Sequence, residues 1–314
     1  MSWYWIVLIV AAAVGLLLLG IGYFFFYLAC VRVRRPEPTQ ESLLGRAVFR
    51  GHQDAVRAGW AWMSQQSFTR VETRSYDGLR LVGHYLPAPE QKGVLVLFHG
   101  YRSSWRIDFC CGLEQYRRLG LGLLVVDQRA HGESQGRYIT YGVREHRDVL
   151  TWVDYVNQRL GKDTPVFLAG LSMGSTTVQM ACGLALPQNV RGVISDCGFT
   201  SAYDILLSVG KEHLHGFAPL AVALAIPYCR IFAGFDPKGF STLDAQRKNH
   251  IPTLFIHGGS DRLVPCKMSE ANYRACAAKD KTLLMVPDAW HGTSYLVDTP
   301  RYEQAVRDFI LRNL

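Results

Sequence analysis

Six short apolar runs, GVLVLFHG, LGLLVVDQR, TPVFLAGLS, VRGVISDC, TLFIHGGSD and KTLLMVPD, recur along the chain after residue 90, most of them separated by segments of helical length. Near-continuous Val, Leu, Ile and Phe with little polar alternation requires strands covered on both faces, and helical crossovers join strands that run parallel. Ahead of them, RVETRSYDGLRLVGHYLPA alternates around the turn pair Asp77-Gly78 and predicts two antiparallel strands. The expectation is an α/β fold: a mostly parallel, eight-stranded sheet with helices on both faces. Amphipathic spacing predicts helices over residues 107–119, over 145–160 and after Gly174.

The N-terminus departs from globular composition. Residues 3–28 carry no charged side chain, enough helix to cross a hydrocarbon core of about 30 Å with some tilt. Trp3, Tyr4 and Trp5 at one end, and Tyr23 and Tyr27 at the other, supply rings suited to the two interfaces. A cleaved signal peptide usually opens with basic residues, and MSWYW has none. Leu28-Ala29-Cys30 is similar to a lipoprotein cleavage site, yet Tyr27 stands where such sites carry an aliphatic residue. Arg32, Arg34 and Arg35 follow the span, so the positive-inside rule predicts a single-pass cell-membrane protein with its main domain on the cytoplasmic side.

Residues 1–35 are therefore read as a transmembrane anchor with a basic flank. Residues 36–68, with Leu43, Leu44, Ala47, Val48, Val56 and Trp60 at helix-compatible spacing, are read as a juxtamembrane helical connector. The net charge of +8 is not gathered into a basic run, and no zinc-finger spacing, helix-turn-helix pattern or basic aromatic platform is visible, which argues against nucleic acid as a partner. Several of the 8 cysteines fall inside apolar strand or helix patterns and are expected to be buried free thiols. The adjacent Cys110 and Cys111 have neither metal-ligand nor CxxC spacing.

Gly170-Leu171-Ser172-Met173-Gly174 lies where a predicted strand must turn sharply into a helix. Flanking glycines permit so tight a bend, which lifts the serine hydroxyl out of the sheet and sets it near a helix N-terminus. A serine hydroxyl is a weak nucleophile at neutral pH and needs a base within hydrogen-bond reach, itself oriented by a carboxylate. Asp261, ending TLFIHGGSD, and His291, in the loop DAWHGTS, follow Ser172 in the order acid then histidine and fall on the same carboxyl edge of the sheet. Asp196, ending VRGVISDC, is the competing acid. His99, His131 and His257 are read as loop supports, His131 with Asp127 and Arg129 pairing beside it. The N–H groups of Met173 and of Tyr101, in the loop after GVLVLFHG, are the expected oxyanion donors, and the Tyr101 side chain is a candidate assistant.

Taken together and in this order, HGYRSS, DQRAHGES, GLSMGS, the Asp of HGGSD and the His of WHGTS resemble the α/β-hydrolase superfamily, most closely the bacterial hydrolases with one N-terminal membrane anchor. The resemblance covers residues 69–314. It implies an α/β-hydrolase fold and a Ser-Asp-His esterase-like mechanism that uses no cofactor, and it implies no particular substrate; the spacing of His99, His131 and His257 suggests no metal site. Between residues 199 and 249 the alternation of strand and helix lapses, with breaks at Pro219 and Pro227, where this superfamily carries a helical lid. Its apolar content is either packing over the sheet or a greasy acyl pocket beside a membrane, and the second reading favours lipophilic esters. The expected protein is a membrane-anchored serine hydrolase acting on carboxylic ester or related acyl bonds of a small-molecule substrate. A peptidase or amidase using the same residues, and a noncatalytic tethered binding protein on the same fold, are the alternatives.

Overall fold

A computed structural model describes residues 2–314. The chain opens with helix α1 (Trp3–Cys30), then α2 (Gln40–Leu44) and α3 (Gln53–Ser64), before the hairpin β1 (Thr69–Arg74) and β2 (Arg80–Leu86). There follow β3 (Gly93–Phe98), α4 (Trp105–Asp108), α5 (Leu113–Arg118), β4 (Leu121–Asp127), α6 (Glu145–Leu160), β5 (Val166–Leu171), α7 (Met173–Ala181) and β6 (Val190–Asp196). The last part holds α8 (Ala202–Leu214), α9 (Ala218–Phe232), α10 (Thr242–Gln246), β7 (Thr253–Gly258), α11 (Lys267–Ala275), β8 (Lys281–Val286), α12 (Ser294–Val297) and α13 (Thr299–Asn313).

The eight strands form one sheet in the order β1-β2-β4-β3-β5-β6-β7-β8. β2 pairs antiparallel with both β1 and β4, and every other neighbour is parallel, as the apolar runs imply. The two-residue period of a strand divides the core between its faces. Leu95 and Leu97 of β3 pack with Val56 and Met63 of α3, Leu113 of α5 and Phe309 of α13. Val94, Val96 and Phe98 pack on the other face with Trp152 of α6 and Val178 of α7.

Two local expectations are corrected. The helix read over 107–119 is broken into α4 and α5, with Cys110, Cys111 and Gly112 in turns between them. The break lets α3 approach, because a Cβ at Gly59 would collide with the carbonyl of Cys110. Arg129 does not pair with Asp127. It is buried between Asp148, at 2.6 Å, and the hairpin-turn residue Asp77, at 2.9 Å, while Asp127 Oδ2 accepts the Glu133 N–H.

The excursion of α8 and α9 leaves the sheet after β6 and returns through an antiparallel bridge between Ser201 and Ser241. Both serines cap the helices that follow, Ser201 Oγ accepting from Asp204 N and Ser241 Oγ from Asp244 N. The two helices rise over the carboxyl edge of the sheet and meet the last turns of α1. There Phe26 and Cys30 join Ile205, Ala225 and Cys229 in a third apolar cluster. α1 is long and apolar enough to cross a membrane, and few of its side chains are buried by the rest of the protein. All eight cysteines are free thiols.

Candidate active site

The bend between β5 and α7 places Ser172 at its tip with φ 56° and ψ −115°, a conformation side chains rarely adopt. Gly170 and Gly174 have a steric reason to be there. A Cβ on Gly170 would strike the backbone of Gly174, and one on Gly174 would strike the Phe98 carbonyl. The Ser172 N–H donates to the Asp196 carbonyl at 2.9 Å, tying the elbow to the end of β6, and the Ser172 carbonyl accepts the Thr176 N–H at 3.0 Å to begin α7.

Ser172, Asp261 and His291 come together. His291 Nε2 lies 2.8 Å from Ser172 Oγ, and His291 Nδ1 lies 2.7 Å from Asp261 Oδ2. The side chain of Asp261 is buried, and its Oδ1 accepts the Val264 N–H at 2.9 Å. A second imidazole approaches the same carboxylate, with His257 Nε2 3.2 Å from Oδ2. Burial alone would raise this carboxyl pKa, but hydrogen bonds from His257, His291 and the Val264 amide outweigh it and hold the pKa at about 2. Asp261 is therefore an anion at neutral pH. His257 also reaches Ser269 Oγ and the Val264 carbonyl, so it braces the acid's loop rather than the serine.

The competing acid is placed elsewhere. Asp196 accepts from Tyr302 Oη at 3.2 Å, makes no hydrogen bond to His291 among the described residues, and is pushed up to about 6 by burial. His99 and His131 support loops. His99 Nε2 accepts the Gln128 N–H, and His131 Nε2 accepts the Arg102 N–H at 3.0 Å, burial holding His131 well below its ordinary pKa. The Cys197 thiol lies within 4.8 Å of the Asp261 and His291 donor atoms, but burial raises its pKa well above the usual thiol value and leaves it protonated, a poor metal ligand.

Met173 opens α7, and Tyr101 sits in the loop after β3. Among the described residues neither N–H has a hydrogen-bond partner. The loop is pinned by Asp108, which accepts from Gly100 N–H at 2.6 Å and from Ser103 Oγ at 2.5 Å. Nothing in the spacing of HGYRSSWRID marks Asp108 for that task. The Tyr101 side chain does not reach toward the serine as an assistant would. Its ring stacks on Tyr141, and both hydroxyls donate to the carbonyl of Ala29 in α1, at 2.7 and 2.8 Å. Arg102 donates to the Leu28 and Val31 carbonyls at the same helix end.

A cavity of about 620 Å³ opens from Ser172 between α8, α9 and the end of α1. Its lining is almost wholly apolar, including Phe25, Phe199, Leu206, Val209, Val222 and Leu263, and Arg102 and His213 are the ionisable side chains other than thiol and phenol groups. Such a volume suits a small organic ligand.

A sheet of this order, a strained serine between β5 and α7, and an acid and histidine after β7 and β8 define a class, and the chain belongs to the α/β-hydrolase superfamily. A model described as alpha/beta hydrolase fold matches residues 93–213, and one described as serine aminopeptidase, S33, matches residues 236–295. Among curated relatives, the Bacillus subtilis protein YqkD is 23% identical over 87% of each chain. The Schizosaccharomyces pombe protein bem46 is 23% identical over 78% of this chain and 77% of its own. Among solved structures, an esterase of Pyrococcus furiosus superposes with a TM-score of 0.66 at 19% identity, covering 89% of this chain and 99% of its own. An acylaminoacyl peptidase of Pyrococcus horikoshii gives 0.60 at 15% identity, covering 81% of this chain and 43% of its own. At these identities the structural likeness is one of fold.

Proposed function

We propose that this protein is a membrane-anchored serine hydrolase that cleaves carboxylic esters or related acyl bonds through Ser172, His291 and Asp261. The observation that carries the reading is the unbroken hydrogen-bond line from Asp261 through His291 to a serine held at the tip of a strained elbow. Ser172 Oγ attacks the acyl carbon as its proton passes to His291 Nε2, and the carbonyl π pair moves onto oxygen, facing the free N–H groups of Met173 and Tyr101. The bond to the leaving alcohol then breaks, and the alcohol takes its proton from Nε2. Water repeats the attack on the acyl-enzyme with the same base, releasing the carboxylic acid and restoring Ser172. The Asp261 carboxylate holds the imidazole in the tautomer that keeps Nε2 free to accept. A fluorophosphonate should modify the protein at Ser172; modification at another residue, or none, refutes the assignment.

The match to a serine aminopeptidase model favours a second reading, peptide hydrolysis. An aminopeptidase needs an anionic partner for the free α-amino group, and no carboxylate lines the cavity among the described residues. Esters of apolar acids fit the lining better. The expected result is a kcat/KM at least about tenfold higher on p-nitrophenyl alkanoates than on aminoacyl p-nitroanilides, after correction for the leaving group with acyl p-nitroanilides of the same chain length. The reverse order would favour the peptidase.

α1 is proposed as the anchor, with Arg32, Arg34 and Arg35 holding the hydrolase domain at the cytoplasmic face. In intact cells an external protease should leave the domain whole, whereas digestion before lysis would reverse the orientation.

A further inference from the structure

α1 does more at its C-terminal end than leave the membrane. Tyr228 Oη donates to the Leu19 carbonyl, a Cβ on Gly22 would collide with the Leu224 carbonyl, and Phe26 stacks on Tyr228 at 6.2 Å between ring centroids. The last turns of α1 are thus fitted to α9 with no room for a side chain at Gly22. Beyond them, the Leu28, Ala29 and Val31 carbonyls accept from Arg102, Tyr101 and Tyr141. These are carbonyls that the end of a helix leaves without intrahelical partners, and here they hold the loop that carries the Tyr101 N–H. Between these two sets of contacts, Phe24, Phe25, Leu28 and Ala29 form one side of the cavity that begins at Ser172.

The length of α1 fixes where that cavity sits. Residues from Trp3 to Leu18 stand clear of the domain, and only Gly15 among them is partly covered. They reach about 24 Å at 1.5 Å per residue, short of a hydrocarbon core of about 30 Å. The next turn of α1, residues 19–22, is apolar and adjoins α9, and immersing it supplies the remaining depth of roughly one helical turn. The surface beside that segment is suited to immersion: Phe217 and Leu220 at the start of α9, and Ile231 and Phe232 at its end, are all exposed. Lys211 and Glu212 at the tip of α8 limit the depth to the headgroup boundary. Phe24 and Leu28 are at once exposed on α1 and part of the cavity lining, so the wall that α1 supplies is also the border with the bilayer.

We propose that the end of α1 is a wall of the acyl-binding cavity and that the cavity opens into the leaflet, making the substrate a long-chain acyl ester dissolved in the membrane. This inference rests on the Ser172 reading above. It is tested on the full-length protein in phosphatidylcholine vesicles with a fluorophosphonate carrying a dodecyl chain that ends in a diazirine. No Lys or Arg precedes Arg32, so tryptic cleavage separates α1 from the rest of the chain as one peptide. The expected result is a phosphonylated Ser172 whose photo-cross-link falls within residues 19–30. Labelling of Ser172 with cross-links confined to α8 and α9 overturns the inference and leaves the hydrolase intact; no labelling of Ser172 removes the hydrolase reading itself.

A second arm asks where the substrate comes from. A fluorogenic ester with two long chains, too insoluble to exchange between vesicles, should be hydrolysed when it shares a bilayer with the protein, at a rate at least about tenfold above that in separate vesicles. Equal rates in the two arrangements would mean entry from water and would overturn the leaflet route. The Phe25→Trp variant, which fills the α1 side of the cavity, should lower the ratio of dodecanoyl to acetyl ester kcat/KM at least fivefold. An unchanged ratio in a variant still labelled by a short fluorophosphonate would place the chain elsewhere.

Discussion

The Ser172→Ala protein is expected to lose fluorophosphonate labelling and to fall in kcat on p-nitrophenyl esters by about 10⁵- to 10⁶-fold. The size follows from the geometry. In the proposed mechanism Oγ is the atom at the elbow that forms the acyl-enzyme, and its removal takes away both the nucleophile and the proton that His291 Nε2 would accept, leaving no covalent route. What remains is the proposed oxyanion pair, the N–H groups of Met173 and Tyr101, and the apolar cavity, worth about 10³- to 10⁴-fold over water when the nucleophile is lost. Stability should change little. Alanine keeps the same Cβ at φ 56°, so the strain of the elbow is unaltered, and the lost hydrogen bond to His291 is partly exposed and worth about 1 kcal/mol. A thermal midpoint within a few degrees of the parent, together with lost labelling, separates chemistry from folding. A variant that keeps even a tenth of the parental kcat would show that the reacting hydroxyl lies elsewhere.

That prediction rests on features legible in the sequence because they are local. Gly170, Ser172 and Gly174 encode a bend within five residues, and unbroken apolar runs encode buried parallel strands whose carboxyl ends collect Asp261 and His291. Long-range choices were not legible. Whether Arg129 turns to Asp127, two residues away, or to Asp148 and Asp77 depends on α6 and the hairpin packing on the same strand. The role of Asp108 depends on a break between α4 and α5 that amphipathic spacing does not register, since both halves carry the same apolar stripe. Apart from its interfacial rings, α1 reads as uniform hydrocarbon, and composition cannot distinguish a side chain facing lipid from one facing a cavity. Only Gly22 and the cluster Phe24–Phe25–Phe26 hint at a differentiated end, and their meaning required the position of α9.

The second large effect is expected at the acid. In the Asp261→Asn protein an amide NH₂ facing His291 Nδ1 favours the tautomer with the proton on Nε2, which can no longer take the Ser172 proton, and kcat should fall by about 10⁴-fold. The same substitution carries a pH signature. The native carboxyl is held at about 2, below its ordinary value near 3.9, so the folded state binds this proton less readily than the unfolded chain. Its contribution, about 2 to 3 kcal/mol, is present above about pH 4 and is lost as pH falls through 2. The variant should therefore be less stable than the parent by about that amount at pH 7, and the gap should close between pH 4 and pH 2 in denaturant titrations of the two proteins side by side. His257 loses its anionic neighbour in the variant but keeps Ser269 and the Val264 carbonyl, so the loop has other supports and unfolding of the site would not account for the lost rate. A kcat within tenfold of the parent would mean that the imidazole is oriented without Asp261, and Asp196, the remaining carboxyl at the end of a neighbouring strand, would then be the group to replace.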